Sequence, residues 1–224
     1  VKDNEVVIVD VTDKTTPTHI SSISYSNIGY THQGWFTEDQ RFFIVGDEFD
    51  ETRLGFKSRT LIFNFSDLDN PVLSSTYLGP TAAIDHNGYV LGNEFYLANY
   101  TAGIRILDIT NIDASTNSMT EIAYFDTFLP SNSTGFAGVW SVYPYFSSGT
   151  ILISDSDTGM YLVKKSQTLS TTDQVDFDKG FTLTPNPSRT PPTIIANQDQ
   201  RVKSIDIFNS LGQKLFSKSK INTK

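Results

Sequence analysis

The chain repeats itself at a fixed spacing. Asp10, Pro17 and His32 recur as Asn64, Pro71 and His86, each pair 54 residues apart. The surrounding text matches as well: VVIVDVTDKTTPTHISSISY against TLIFNFSDLDNPVLSSTY, and YTHQGW against IDHNGY. A unit built from short apolar runs and turns cannot bury its own faces, so a period of this length points to a stacked array. The simplest such array is all-β: a partial β-propeller of about three blades, each an antiparallel four-stranded sheet.

The strands follow from apolar runs and alternation. Val6–Val11 and His19–Tyr25 read as the third and fourth strands of a first blade. A complete second blade reads as Thr31–Thr37, Arg41–Gly46, Thr60–Phe65 and Val72–Tyr77. A third blade takes Ile84–Leu91, Glu94–Asn99, Gly103–Ile109 and Glu121–Phe128. A fourth gives Val139–Tyr145, Ile151–Asp155 and Met160–Lys164 without a fourth strand. Between the second and third strands of the second blade lies DEFDETRLGFKSR, about ten residues longer than its counterpart in the next blade. A long excursion on a compact scaffold is usually there for a reason. Propellers close with about four to eight blades. The start at Val1 inside a strand therefore reads as a fragment with blades upstream.

Composition narrows the function classes. With 16 Phe, 10 Tyr and 2 Trp the chain favours strands. A net charge of −8 argues against a nucleic-acid groove or an anionic membrane as partner. The absence of cysteine removes disulfides, thiolate catalysis and Cys-type zinc sites. No run of about 18 apolar residues offers a membrane-spanning segment. Neither G-x-S-x-G nor a phosphate-binding glycine loop is present.

The organisation expected is propeller repeats over 1–165, a polar linker over 166–180 and a small basic β-sandwich-like module over 181–224. In that module Ile205, Ile207 and Leu215 alternate around the turn Asn209–Gly212.

Two stretches carry family resemblance. Thr184-Pro185-Asn186-Pro187-Ser188 and Ile205-Asp206-Ile207-Phe208-Asn209-Ser210-Leu211-Gly212-Gln213 resemble the C-terminal sorting domain of type IX secretion substrates of Bacteroidetes. That family continues into a Gly-x-Tyr strand, whereas this sequence stops at Lys224, so the module reads as truncated. Val7-Ile8-Val9-Asp10-Val11 resembles the signature of the LVIVD-repeat, choice-of-anchor B propellers. Tyr30–Trp35, Gly46–Glu48, Ala83–Asn87 and Trp140–Tyr145 resemble its other blocks. These resemblances imply a protein secreted to, or held on, the exterior of a Gram-negative outer membrane. The type IX machinery would be one partner and an unknown extracellular ligand or protein another. No established activity comes with them.

In a blade, the loop entering the inner strand and the loop joining the second and third strands share one face of the ring. His32 and His86 sit at inner-strand starts with Gln33, Asp85, Asn87, Trp140 and Ser141. The acidic loop Asp47, Glu48, Asp50 and Glu51 falls on the same face, as do Asn99, Asp155 and Asp157. One polar face rich in histidine and carboxylate is therefore expected at the channel mouth. Such a set suits a divalent cation: a transition metal for the histidines with carboxylates, calcium for clustered carboxylates. The competing reading of His32 and His86 is a hydrogen-bond network tying inner strands together. For Asp47–Glu51 it is a solvated charged loop, and for Asp155–Gly159 a β-turn. The aromatics Tyr30, Trp35, Tyr89, Tyr100, Trp140, Tyr143 and Tyr145 suit a sugar or peptide site, or packing between blades. The leading functional reading is a non-enzymatic ligand- or protein-binding module. The alternatives are a metal-dependent hydrolase or lyase using His32, His86 and nearby carboxylates, and a structural or adhesive surface module.

Overall fold

The computed structural model describes residues 2–165, 181–184, 193–196, 202–208 and 214–223. The chain divides into two compact units, Val1–Lys165 and Ser166–Lys224.

In the first unit the middle strands are apolar without alternation, and the packing explains why. β4 (Phe42–Asp47) lies between β3 (Thr31–Phe36) and β5 (Arg59–Asn64), and β6 (Val72–Leu78) closes the four-stranded antiparallel meander. The next meander runs β7 (Gly88–Leu91), β8 (Glu94–Ala98), β9 (Ile104–Asp108) and β10 (Thr120–Phe125). Phe42, Ile44 and Ile62 face this second meander and meet Val90, Phe95, Leu97 and Leu107. On the other side of the same sheet, Val45, Leu61 and Phe63 pack on Val6. A sheet covered on both faces needs apolar side chains at successive positions. That is the pattern of FFIV and LIF.

Val6 belongs to β1 (Val6–Asp10), which pairs with β2 (Thr18–Ile23). On the far side, Tyr96, Ala98, Ile104 and Ile106 pack on Val139, Val142, Ile151 and Ile153. These come from β11 (Val139–Tyr143) and β12 (Thr150–Asp155), with β13 (Gly159–Lys164) outermost in a three-stranded sheet. The inner strands β3, β7 and β11 are spatial neighbours in sequence order. This is the blade arrangement of a β-propeller: two complete blades flanked by two partial ones.

Several boundaries differ from the sequence reading. Ile84–Asn87 is not strand, because Ala83 to His86 are buried at the inner-strand entrance and β7 begins only at Gly88. β10 ends at Phe125 and β11 at Tyr143, each shorter than expected. The long excursion in the second blade contains a short helix, α1 (Asp50–Leu54), with Asp50 and Glu51 in its first turn. Acidic groups there suit the exposed amides of a helix start. Gly55 ends the helix at φ 75°, its N–H donating to Glu51 O.

In the second unit, β14 (Phe181–Thr184) pairs with β15 (Thr193–Ala196), and β16 (Val202–Phe208) with β17 (Lys214–Thr223), all antiparallel. The 166–180 linker, the Pro185–Ser188 part of the sorting-domain opening and the Asn209–Gly212 turn lie outside the described residues.

Gly103 enters β9 at φ 79°, and a Cβ there would sit 2.2 Å from Phe125 O. Gly92, at φ 59°, has nothing within 4 Å of such a Cβ. Gly103→Ala is expected to lower stability by about 2–4 kcal/mol, from backbone strain plus overpacking. Gly92→Ala should cost about 1 kcal/mol, from backbone alone. Equal losses in chemical denaturation would show that the close approach at Phe125 is not a real constraint.

Candidate metal centre

Three side chains from two blades meet where the inner strands begin. His32 is the second residue of β3, His86 stands two residues before β7, and Glu48 follows β4 directly. Glu48 Oε2 lies 3.3 Å from His32 Nδ1, and Glu48 Oε1 lies 3.6 Å from His86 Nε2. One ligand-capable atom from each of the three falls within 4.8 Å of the others. The two imidazoles stack, centroids 4.5 Å apart and 15° from parallel. The His86 side chain is 2% exposed and that of His32 27%, so the group is closed on one side and open on the other.

The protonation pattern of His86 follows from its neighbours. Its Nδ1 is 2.7 Å from the Trp140 carbonyl oxygen, which can only accept. The Asn87 amide nitrogen also lies 2.9 Å from Nδ1, but the shorter contact to the carbonyl assigns the proton to Nδ1, which donates to that oxygen. Burial holds the His86 pKa below its usual value, favouring the neutral ring. In that state Nε2 is a bare lone pair directed at a carboxylate. Glu48 Oε1 already accepts the Tyr100 hydroxyl at 2.9 Å. Burial, then the Glu48 carboxylate, raises the Tyr100 pKa and keeps that hydroxyl a donor. With the ring neutral and its proton on Nδ1, Nε2 offers no proton to Glu48 Oε1, 3.6 Å away. A cation is what this arrangement of donors suits. An imidazole that gives its other N–H to a backbone carbonyl is also the usual second-layer support of a metal ligand.

The rest of the acidic stretch does not form a solvated loop, contrary to the sequence reading. Asp47, Asp50 and Glu51 are buried, and so is Asp85. Asp47 accepts the amides of Gly29 and Tyr30 and the Tyr25 hydroxyl at 2.6–2.9 Å. Gly29 must be glycine, since a Cβ would meet Asp50 N at 2.3 Å. Asp50 pairs with Arg59 Nε, and Arg59 also lies 3.5 Å from Asp47. Asp85 Oδ2 accepts from Thr60 Oγ1 at 3.1 Å. Asp50 Oδ1, Glu51 Oε2 and Asp85 Oδ1 accept from no N–H or hydroxyl group among the described residues.

Four buried acids against one guanidinium cannot all be ionised. Burial first, then the charges of Asp85 and Asp50, raises the Glu51 pKa, so its carboxyl keeps its proton and offers it to Asp50. Burial also raises Asp85 well above the carboxylate range. These four residues thus hold the second-blade insert against the scaffold and do not join the histidines. Sequence reasoning missed Arg59, the first residue of β5. It read Tyr100 only as an aromatic for ligand stacking or blade packing, not as a donor to Glu48, and gave no role to the Trp140 carbonyl. Tyr100 lies in the β8–β9 turn, on the same face as the acidic loop, and that placement was the available signal.

The other expected face residues work as ties. Gln33 donates to Gly88 O and accepts from Gly88 N, both at 2.9 Å, stitching β3 to β7. Asn87 donates to Trp140 O at 3.0 Å. Asn99 is buried and donates to Ser58 Oγ, so it does not line the face. Ser141 approaches Tyr89 OH at 3.4 Å. Asp155 accepts the amides of Asp157 and Thr158, and Asp157 accepts the Gly138 amide, so both are spent in a β-turn. The Trp140 ring stays half exposed beside His86, 4.6 Å from it and edge-on.

No family model matches the chain. No curated protein matches it either. Among solved structures it is similar to the periplasmic gluconolactonase PpgL of Pseudomonas aeruginosa, with a TM-score of 0.49 and 11% identity over 97% of this chain and 63% of that one. It is similar also to Sqt1 of Saccharomyces cerevisiae, with a TM-score of 0.43 and 11% identity over 99% of this chain and 57% of that one. The chain spans less than two thirds of the length of either structure. The propeller assignment rests on the sheets themselves.

Replacing Glu51 by glutamine keeps its shape and supplies an N–H to Asp50. A carboxyl whose folded pKa is raised makes the protein less stable as pH climbs from its unfolded value of 4.5 toward the folded one. Glu51→Gln should therefore flatten the decline in stability from pH 5 to pH 9, and stabilise the chain at pH 8 by about 1 kcal/mol. Denaturation midpoints across that range check it. An unchanged slope would mean that Glu51 is ionised in the fold.

Proposed function

We propose that this chain is part of a secreted or cell-surface β-propeller that binds an extracellular ligand or protein through a divalent transition-metal ion held by His32, Glu48 and His86. The observation that carries the reading is the His86 lone pair facing Glu48, with the Nδ1 proton committed to Trp140. Two imidazoles and one carboxylate form a donor set typical of zinc, manganese or iron(II) rather than calcium. Three protein ligands leave coordination positions free, and the exposed side of His32 gives solvent and ligand access to them. That same opening favours a second reading, a metal-assisted hydrolase or lyase. When bound, the ion supplies a Lewis acid or an activated water. On either reading, His86 and Glu48 are held in place by Trp140 O and Tyr100.

Export belongs to the proposal as well. Its support is the resemblance of Thr184–Ser188 and Ile205–Gln213 to the type IX sorting signal, with the type IX machinery as partner.

Metal analysis of purified protein dialysed against trace zinc should give about one ion per chain. His86→Ala and Glu48→Gln should each reduce affinity by far more than ten-fold. Tyr100→Phe, which releases one Glu48 oxygen from its hydrogen bond, should weaken it by about 10–100-fold. Retention of zinc by His86→Ala with an unchanged Kd would remove the centre from consideration. Catalysis is tested separately, by turnover of ester and phosphoester substrates that depends on the zinc load.

A further inference from the structure

A cavity of about 620 Å³ is lined by Lys2, Asp3, Tyr30, Phe49 and Arg53, among others. The path from the histidines to this cavity is paved with rings. The Tyr30 centroid is 5.7 Å from that of His32, and Phe49 stacks on Tyr30 at 5.2 Å. The Arg53 guanidinium lies 4.7 Å over the Phe49 ring. Its Nη1 donates to Gly29 O at 2.5 Å. Arg53 is therefore a positioned cation, yet no ion pair joins it to a carboxylate among the described residues. One guanidinium N–H is used on Gly29, which leaves most of a five-donor fork for a ligand. A carboxylate matches that fork in shape and charge.

Both ends of this path favour anions. Glu48 with two neutral imidazoles leaves a divalent ion with one positive charge, and Arg53 provides another. We propose that the ligand is a dicarboxylate, one end taking the free metal position beside His32 and the other pairing with Arg53, with an apolar or ring-shaped middle along Tyr30 and Phe49. This rests on the metal reading above and adds the chemical class of the ligand.

The test uses the full chain loaded with zinc, titrated calorimetrically with linear dicarboxylates from succinate to sebacate and with acetate as the one-ended control. At least one dicarboxylate should bind more tightly than acetate. Arg53→Gln should weaken that dicarboxylate by about ten-fold or more, the loss of one charge-assisted contact. Acetate affinity and zinc content should not change. The proposal is overturned if no dicarboxylate exceeds acetate, or if Arg53→Gln leaves the preference intact. It is overturned too if inorganic phosphate outcompetes every dicarboxylate with the same dependence on Arg53. A chain that takes up no zinc overturns both this inference and the metal reading. A zinc-loaded chain indifferent to Arg53 overturns this one alone.

Discussion

The structure depends on sheets stacked face to face. Each middle strand is pressed between two neighbouring blades, so β4 sends Phe42 and Ile44 one way and Val45 the other. Burial of side chains of this size is worth about 1.5–3 kcal/mol each. The stack leaves little room for polar groups away from the strand ends, where chains turn. Chemistry is thus confined to the rims, and His32, Glu48 and His86 all lie at such ends.

How much of this was legible in the sequence depends on which interaction one asks about. The repeat and the doubly apolar strands follow from local text, because a 54-residue period and runs such as RFFIVG are visible without tertiary knowledge. The meeting of His32 and His86 was also legible, since they occupy equivalent places in adjacent blades. The fate of Asp47, Asp50 and Glu51 was not. Four acids in a loop look solvated until the fold brings Arg59, Gly29 and a helical turn around them. The Trp140 carbonyl is invisible at sequence level for a simpler reason: every residue has one, and only the fold says which is aimed at an imidazole.

The second-blade insert links these two levels. It delivers Glu48 to the histidines, Asp47 and Asp50 to Arg59, and Phe49 and Arg53 to the neighbouring cavity. Its buried acids explain how a charged segment stays fixed at the rim. Asp47 collects backbone amides as a helix start would, while Glu51 remains a neutral acid because water cannot reach it. The insert is held by polar groups on one side and offers polar groups on the other.

Glu48 touches both blades at once. One of its oxygens meets His32 in its own blade, and the other meets His86 and Tyr100 in the next. The spacing of the three donors therefore depends on how the two blades sit against each other, as well as on the segments that carry Glu48 and His86. The three donors thus bridge the seam between two blades.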